Sequence, residues 1–128
     1  MPKQTLQLLD AQLTIHSLPP EQSIPSQVLD SELFFIGKTA DEVSIVCLSE
    51  IDIDSEEAEP GWQALEVLGP LGFSLTGILS NISGVLANAN ISIFAVSTFE
   101  TDYIMVKALH IGDAIKALRK NGYKVLTD

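Results

Sequence analysis

A glycine-rich segment followed by a helical pattern is the part of this sequence best suited to bind a small anion. Residues 69–79 read Gly-Pro-Leu-Gly-Phe-Ser-Leu-Thr-Gly-Ile-Leu, which predicts a strand that turns into a capped helix. The first backbone N–H groups of a helix have no partner within the helix. Together with the helix dipole they favour a carboxylate or another anion. A small acidic metabolite, such as the carboxylate end of an amino acid, is therefore a sensible ligand.

A second segment, residues 97–106, reads Ser-Thr-Phe-Glu-Thr-Asp-Tyr-Ile-Met-Val and predicts a hairpin of two strands around a polar tip. Structural roles compete with ligand binding in both segments. Gly72 and Gly77 suit a tight turn and close packing of the helix on the sheet. Ser74 and Thr76 are ordinary helix-capping residues, and Asp102 at a hairpin tip is commonly a turn residue.

Catalysis is disfavoured by the residues that would have to carry it. Cys47 lies in an apolar strand pattern, where a buried and inert thiol is expected. His16 and His110 have no motif partner, and neither a nucleophile elbow nor a metal-ligand spacing is visible. One cysteine forms no internal disulfide and no cysteine-built zinc site. We therefore expect no enzymatic activity, no metal and no cofactor.

Composition indicates a chain with its own hydrophobic core and an acidic surface. The 128 residues are 46% hydrophobic, and the net charge is −10. Residues 1–60 hold twelve Asp/Glu and two Lys, whereas residues 61–128 hold five of each sign. Nucleic-acid binding requires a positive surface, so we expect none. The apolar runs are too short to span a membrane, and no signal peptide is visible, which favours a cytoplasmic location.

The acidic run at residues 52–59, Asp-Ile-Asp-Ser-Glu-Glu-Ala-Glu, raises the question of a cation site. It lacks the central glycine and the terminal glutamate spacing of a calcium loop. We interpret it as a solvated acidic linker that ends at Pro60-Gly61.

From Trp62 onward, the pattern predicts the order β-α-β-β-α-β, the ferredoxin-like split unit. The first helix is predicted from apolar residues on one face, with Asn88 or Asn90 suited to its end. A second amphipathic helix contains Ile111, Ala114, Ile115 and Leu118, and Gly122 suits its end.

An internal repeat predicts a second unit in the first half of the chain. Residues 35–46 match residues 95–106 at an offset of 60, at the level of pattern. The apolar runs 33–36 and 43–48 predict a hairpin, and residues 26–31 allow only a short helix. The predicted fold class is α+β, with two ferredoxin-like units at 1–60 and 61–128. We expect antiparallel sheets with helices on one face, and an incomplete first unit.

These two motifs closely resemble the ACT-domain family, in particular the branch shared by aspartokinase regulatory domains and the CASTOR arginine sensors. Small tandem-ACT bacterial proteins resemble the chain end to end. The resemblance implies a regulatory, allosteric module with an amino-acid site at an interface between two units. Carried over onto this sequence, it implies ligand-binding roles for these residues: Gly72, Phe73, Ser74, Leu75, Thr76, Gly77, Ser97, Thr98, Phe99, Thr101 and Asp102.

The expected chemistry assigns the ligand carboxylate to backbone N–H groups near Ser74–Thr76. Asp102, or less favourably Glu100, would meet an amino or guanidinium group. The alternative is an ACT module that binds no ligand and serves only interaction or oligomerisation. Expected partners are an amino acid or a similar small ligand, with neither nucleic acid nor membrane, and a homodimer is compatible with the family.

Overall fold

The computed structural model describes residues 3–69 and 77–128. Apart from a 3-10 turn at Ala108–His110, the regular elements in these ranges are β1 (Thr5–Leu8), β2 (Leu13–Leu18), α1 (Ser26–Leu29), β3 (Phe34–Lys38), β4 (Val43–Leu48), β5 (Glu57–Gly69), α2 (Ile78–Asn88), β6 (Ile93–Ser97), β7 (Asp102–Lys107), α3 (Ile111–Lys120) and β8 (Lys124–Leu126).

The chain divides into two compact units. The inserted unit is Ala11–Trp62, and the terminal unit comprises Met1–Asp10 together with Gln63–Asp128. Strand β5 runs through the boundary, so each unit contains part of it. The predicted division at residue 60 lies close to this boundary. It differs for the first ten residues, which group with the second half of the chain.

The inserted unit has a sheet in the order β3-β4-β2-β5, and every neighbouring pair is antiparallel. The predicted hairpin is confirmed as β3 and β4, with Phe35 opposite Val46. The only helix of this unit is the four-residue α1, whose Val28 is buried. Its core consists of alternate strand residues and two residues of the following segment: Leu18, Val28, Val43, Ile45, Cys47 and Ile53.

The terminal unit has a mixed sheet in the order β6-β7-β5-β1-β8. The predicted β-α-β-β-α-β order is confirmed in β5, α2, β6, β7, α3 and β8. The prediction of purely antiparallel sheets is wrong here, because β1 lies between β5 and β8 and is parallel to β8. Pairing between the two ends of the chain leaves no local pattern in the sequence.

Helices α2 and α3 contribute apolar side chains to one core with the sheet of the terminal unit. The predicted helix residues Ile82, Leu86 and Leu118 are fully buried there. Strand residues such as Leu65 and Ile104 complete this core, so the helices pack on the sheet face to which those two side chains point.

The acidic run is only partly the linker that we predicted. Glu57, Ala58 and Glu59 belong to β5 and pair with Ser17, His16 and Ile15 of β2. Their side chains are exposed, so acidic residues are tolerated in this strand. The register shifts between Leu13 and Ile15, where the partner strand passes through Pro60-Gly61 with Gly61 at φ 81°. A bulge with glycine in the left-handed region lets the strand continue beyond the proline.

Candidate ligand-binding site

The tip of the β6–β7 hairpin is a tight turn stabilised by its own threonines. The N–H of Thr98 donates to the carbonyl of Thr101 at 2.8 Å. The Thr98 hydroxyl donates to the same carbonyl at 3.0 Å, and its oxygen accepts from the N–H of Thr101 at 3.2 Å. Thr98 therefore has a structural role in the turn.

Thr101 connects this turn to the neighbouring strand. Its hydroxyl donates to the carbonyl of Val67 in β5. Because β5 ends at Gly69, this bond ties the hairpin tip to the strand that leads directly into the glycine-rich segment.

Ser97 and Asp102 form the last cross-strand pair before the turn. Asp102 points to the same face of the sheet as Ile104 and Val106, because side chains alternate along a strand. Ile104 and Val106 lie in the core beneath the helices, so Ser97 and Asp102 are on the helix-bearing face. Ser97 is exposed and Asp102 is half-buried. No hydrogen bond joins the Asp102 carboxylate to another described residue.

The start of α2 supplies the second half of the candidate site. Gly77 is its N-cap, with φ 78°, and its carbonyl accepts the N–H of Asn81 at 2.8 Å. No described side chain caps the helix, and its first turn contains no acidic residue. Backbone N–H groups at such a start favour an anion. Among the described residues, a Cβ at position 77 would meet only Asn81 Nδ2, at 3.8 Å, so the positive φ is the reason for a glycine here.

Five of the predicted site residues, Gly72, Phe73, Ser74, Leu75 and Thr76, lie outside the described residues, as do the predicted caps Ser74 and Thr76. Among the other predicted site residues, Phe99 does not pack in the core, as an aromatic side chain beside a strand usually does. Its side chain is 84% exposed at the tip of the turn, so it does not belong to the core.

A polar pair on the opposite face of the sheet was missed by the sequence analysis. The Tyr103 hydroxyl donates to Glu66 Oε2 at 3.4 Å. Burial raises the pKa of Tyr103, and the charge of Glu66, the hydrogen bond to it and the charge of Glu100 raise it further. Tyr103 follows Asp102 in a strand, so the two side chains point to opposite faces. Glu66 carries no motif that would have revealed this pairing.

The three residues that we considered for catalysis, Cys47, His16 and His110, are not brought together into one site by the described structure. Cys47 is fully buried, and burial raises the pKa of its thiol, which disfavours the reactive thiolate. His16 is buried in β2, whereas His110 is exposed at the 3-10 turn. Across residues 3–69 and 77–128, no group of three His, Cys, Asp or Glu side chains is arranged to hold a metal ion. Within the same ranges no helix is long and apolar enough to cross a membrane.

The combination of this split α/β unit and the hairpin motif defines a family. The family model of the ACT domain matches residues 57–120, which is half of the chain. The chain therefore belongs to the ACT-domain family, as its motifs suggested. A second family model, described as an N-terminal domain, matches residues 12–56 and thus most of the inserted unit.

The human cytosolic arginine sensor for mTORC1 subunit 1 is 31% identical over 126 residues, which cover 88% of this chain. They cover 37% of the sensor, so the chain spans little more than a third of that relative. Among solved structures, a protein from Agrobacterium tumefaciens is 31% identical with a TM-score of 0.91, covering 100% of this chain and 96% of its own. The regulatory subunit of aspartate kinase from Thermus thermophilus has the same fold, with 15% identity, a TM-score of 0.58, and coverage of 90% and 93%.

Proposed function

We propose that this protein is a regulatory module that binds a free amino acid between residues 72–77 and the tip of the β6–β7 hairpin. The ligand carboxylate is held by backbone N–H groups at the start of α2, and the Asp102 carboxylate receives an amino or guanidinium group. Ser97, Thr98, Phe99 and Thr101 border the ligand. In keeping with the family, a further ACT unit completes the site.

The observation that carries this proposal is the placement of the Ser97–Asp102 pair. It lies on the helix-bearing face, at the end of the hairpin, and the carboxylate has no hydrogen-bond partner among the described residues. A half-buried carboxylate without a partner is suited to a cationic group. The human relative is named an arginine sensor, which agrees with a ligand that carries both a carboxylate and a cation.

The proposal includes the finer architecture. The inserted unit is an incomplete ACT unit with a single-turn helix, and the terminal unit is a complete one. The protein acts without catalysis. Its location is cytoplasmic, in agreement with the human relative, which is named a cytosolic sensor. It binds neither nucleic acid nor membrane, and a homodimer is the assembly that we favour.

Isothermal titration with each of the twenty amino acids tests the proposal. If a cationic amino acid binds, Asp102→Ala should weaken it by about 2 kcal/mol, roughly 30-fold in Kd, because a paired and desolvated charge is lost. Glu100→Ala is the matched control, because it removes an exposed carboxylate from the same turn. It should change Kd less than about threefold.

The assembly-only function is the alternative, and the same experiment distinguishes it. Its prediction is that no amino acid binds at millimolar concentration to the folded protein, while the oligomeric state remains intact in sedimentation. Binding that is unchanged in Asp102→Ala and in a bulky replacement of Gly77 would show that the site lies elsewhere.

A further inference from the structure

The inserted unit contains a buried histidine that the proposed function does not use. His16 lies in β2, between Ile45 of β4 and Ala58 of β5, and only 6% of its surface is exposed. It points to the same face as Leu18, which belongs to the hydrophobic core of this unit. An imidazole in this position is surrounded mainly by apolar side chains.

The hydrogen bonds of His16 suit the neutral ring only. Nδ1 lies 2.9 Å from the Ser55 hydroxyl, and Nε2 has no hydrogen-bond partner among the described residues. A neutral imidazole can leave one nitrogen unpaired at modest cost. A protonated imidazole carries an N–H on both nitrogens. The Nε2–H would then be a buried, unsatisfied donor on a charged group, which is strongly unfavourable.

The surrounding charges do not compensate for this burial. Burial lowers the pKa of His16. The titratable group facing the same side of the sheet from β4 is the Cys47 thiol, which lies opposite Thr14 and is neutral. The charged side chains on the elements around His16 are all exposed to solvent: Asp30, Lys38, Glu42, Glu50, Asp52, Asp54, Glu56, Glu57 and Glu59. Exposed charges are screened by water and salt.

Segment 49–56 is the part of the unit that protonation would affect first. It is linked to β2 through the His16–Ser55 contact, a Thr14–Ser49 hydroxyl contact at 2.8 Å, and the bond from the Glu56 N–H to the Ser17 carbonyl at 3.1 Å. It also supplies Ile53 to the core. Its backbone bonds are few, and it holds the only hydrogen-bond partner of the ring among the described residues, so its displacement is the simplest local opening around His16.

We infer that the inserted unit is an acid-responsive element, in which protonation of His16 releases segment 49–56 from β2. The terminal unit has no equivalent group in its described part, because its one histidine, His110, is exposed. The native state holds His16 in its neutral form. The contribution of His16 to stability is therefore fully present above the pKa of an imidazole in the unfolded chain, about 6.5. Below that pH the unfolded or opened state takes up a proton that the native state does not. The opening equilibrium then rises about tenfold per pH unit until the lowered native pKa is reached.

The test uses the full chain and its two histidines. Urea unfolding is followed by the fluorescence of Trp62, the single tryptophan, at several pH values between 7.5 and 5. The wild type and His110→Gln should show a rise that begins near pH 6.5 and approaches tenfold per pH unit between about pH 5.5 and 5. His16→Gln, which has a neutral side chain of similar polarity, should have a flat profile over this range. An unchanged slope in His16→Gln would overturn the inference.

Two measurements on the wild type test the role of His16 even if His16→Gln fails to fold. The Cε1 proton of native His16 should titrate in the NMR spectrum only below about pH 6.5, the ordinary value for an imidazole. Hydrogen exchange of the Glu56 amide, corrected for its intrinsic rate, should accelerate on acidification before that of the Tyr123 amide in the terminal unit. A native His16 that titrates at or above about pH 6.5, or equal acceleration of both amides, would contradict the inference.

Discussion

The hairpins β3–β4 and β6–β7 have the same turn and different chemistry. In each, a threonine N–H donates to the carbonyl three residues later, from Thr39 to Glu42 at 3.0 Å and from Thr98 to Thr101 at 2.8 Å. Each threonine hydroxyl oxygen also accepts an N–H within the turn. The cross-strand pair before the turn is Lys38–Val43 in the first hairpin and Ser97–Asp102 in the second.

The difference between these pairs separates a structural hairpin from the one that we propose as part of a ligand site. Val43 is 2% exposed and belongs to the core of the inserted unit. Lys38 directs its ammonium group to the carbonyl of Pro20 at 2.8 Å. Asp102, at the position of Val43, offers a carboxylate instead. The turn therefore maintains the geometry, and two residues beside it determine whether the end of the hairpin is apolar or charged.

Exchanging the residue types at positions 43 and 102 should have the largest effect on the free energy of unfolding. Val43→Asp places a carboxylate in the core of the inserted unit and should cost about 3 kcal/mol or more, because a buried charge without a partner is strongly unfavourable. Asp102→Val should change the free energy of unfolding by less than about 1 kcal/mol, because that side chain is only half-buried. Urea denaturation followed by circular dichroism measures both. A wild-type midpoint for Val43→Asp would show that position 43 accepts a carboxylate as readily as position 102 does.

The alignment of the two hairpins shows how far the sequence could be interpreted. The repeat was predicted at an offset of 60, but the turns superpose at 59, with Thr39 corresponding to Thr98. The pattern comparison matched apolar residues along the strands, whereas the threonine that forms the turn determines the register. Alternating apolar residues were sufficient to predict both hairpins. They were insufficient to place the turn to within one residue.

Physical reasons also explain which other elements could be predicted from the sequence and which could not. Helices α2 and α3 were predictable because each buries one face. The first part of β5 was not, since its exposed acidic residues and Pro60-Gly61 resemble a linker. At the candidate site, Asp102 remains a prediction from a family motif, whereas the structural role of Thr98 is visible only once the turn is formed. The Tyr103–Glu66 pair joins two strands distant in sequence, and no local signal predicts it.

A smaller effect is expected where the fourth residue of each turn contacts the adjacent strand. The Thr101 hydroxyl donates to the Val67 carbonyl in β5, and Glu42 accepts from the Ser17 hydroxyl in β2 at 3.1 Å. Thr101→Val leaves a half-buried carbonyl without its donor and should cost about 1 kcal/mol. Ser17→Ala removes an exposed bond and should cost less than about 0.5 kcal/mol. Thermal unfolding of the two variants measures the difference, and equal losses would contradict the assigned roles.

The smallest effect is expected at the C-terminal ends of α2 and α3. Both helices end with the same backbone geometry, but the residue with positive φ is an asparagine in one and a glycine in the other. Asn90 has φ 62° and Gly122 has φ 92°. The N–H of Ile91 donates to the Leu86 carbonyl at 2.9 Å, and the N–H of Tyr123 donates to the Leu118 carbonyl at 3.0 Å. Both are the longer bond of a Schellman motif, which favours glycine at the left-handed position.

Asn90→Gly should therefore stabilise the protein by about 0.5 kcal/mol, because glycine adopts this conformation without strain and only part of the gain is lost to the entropy of the unfolded chain. Gly122→Asn should destabilise it by a similar amount. A Cβ at position 122 would meet Lys3 Cγ at 3.6 Å, an ordinary contact, so only the backbone preference is changed. Denaturant titration of the two variants and of the double exchange checks the sign and the cancellation. A destabilised Asn90→Gly would mean that the asparagine side chain makes a contribution at the end of α2 beyond its tolerance of positive φ.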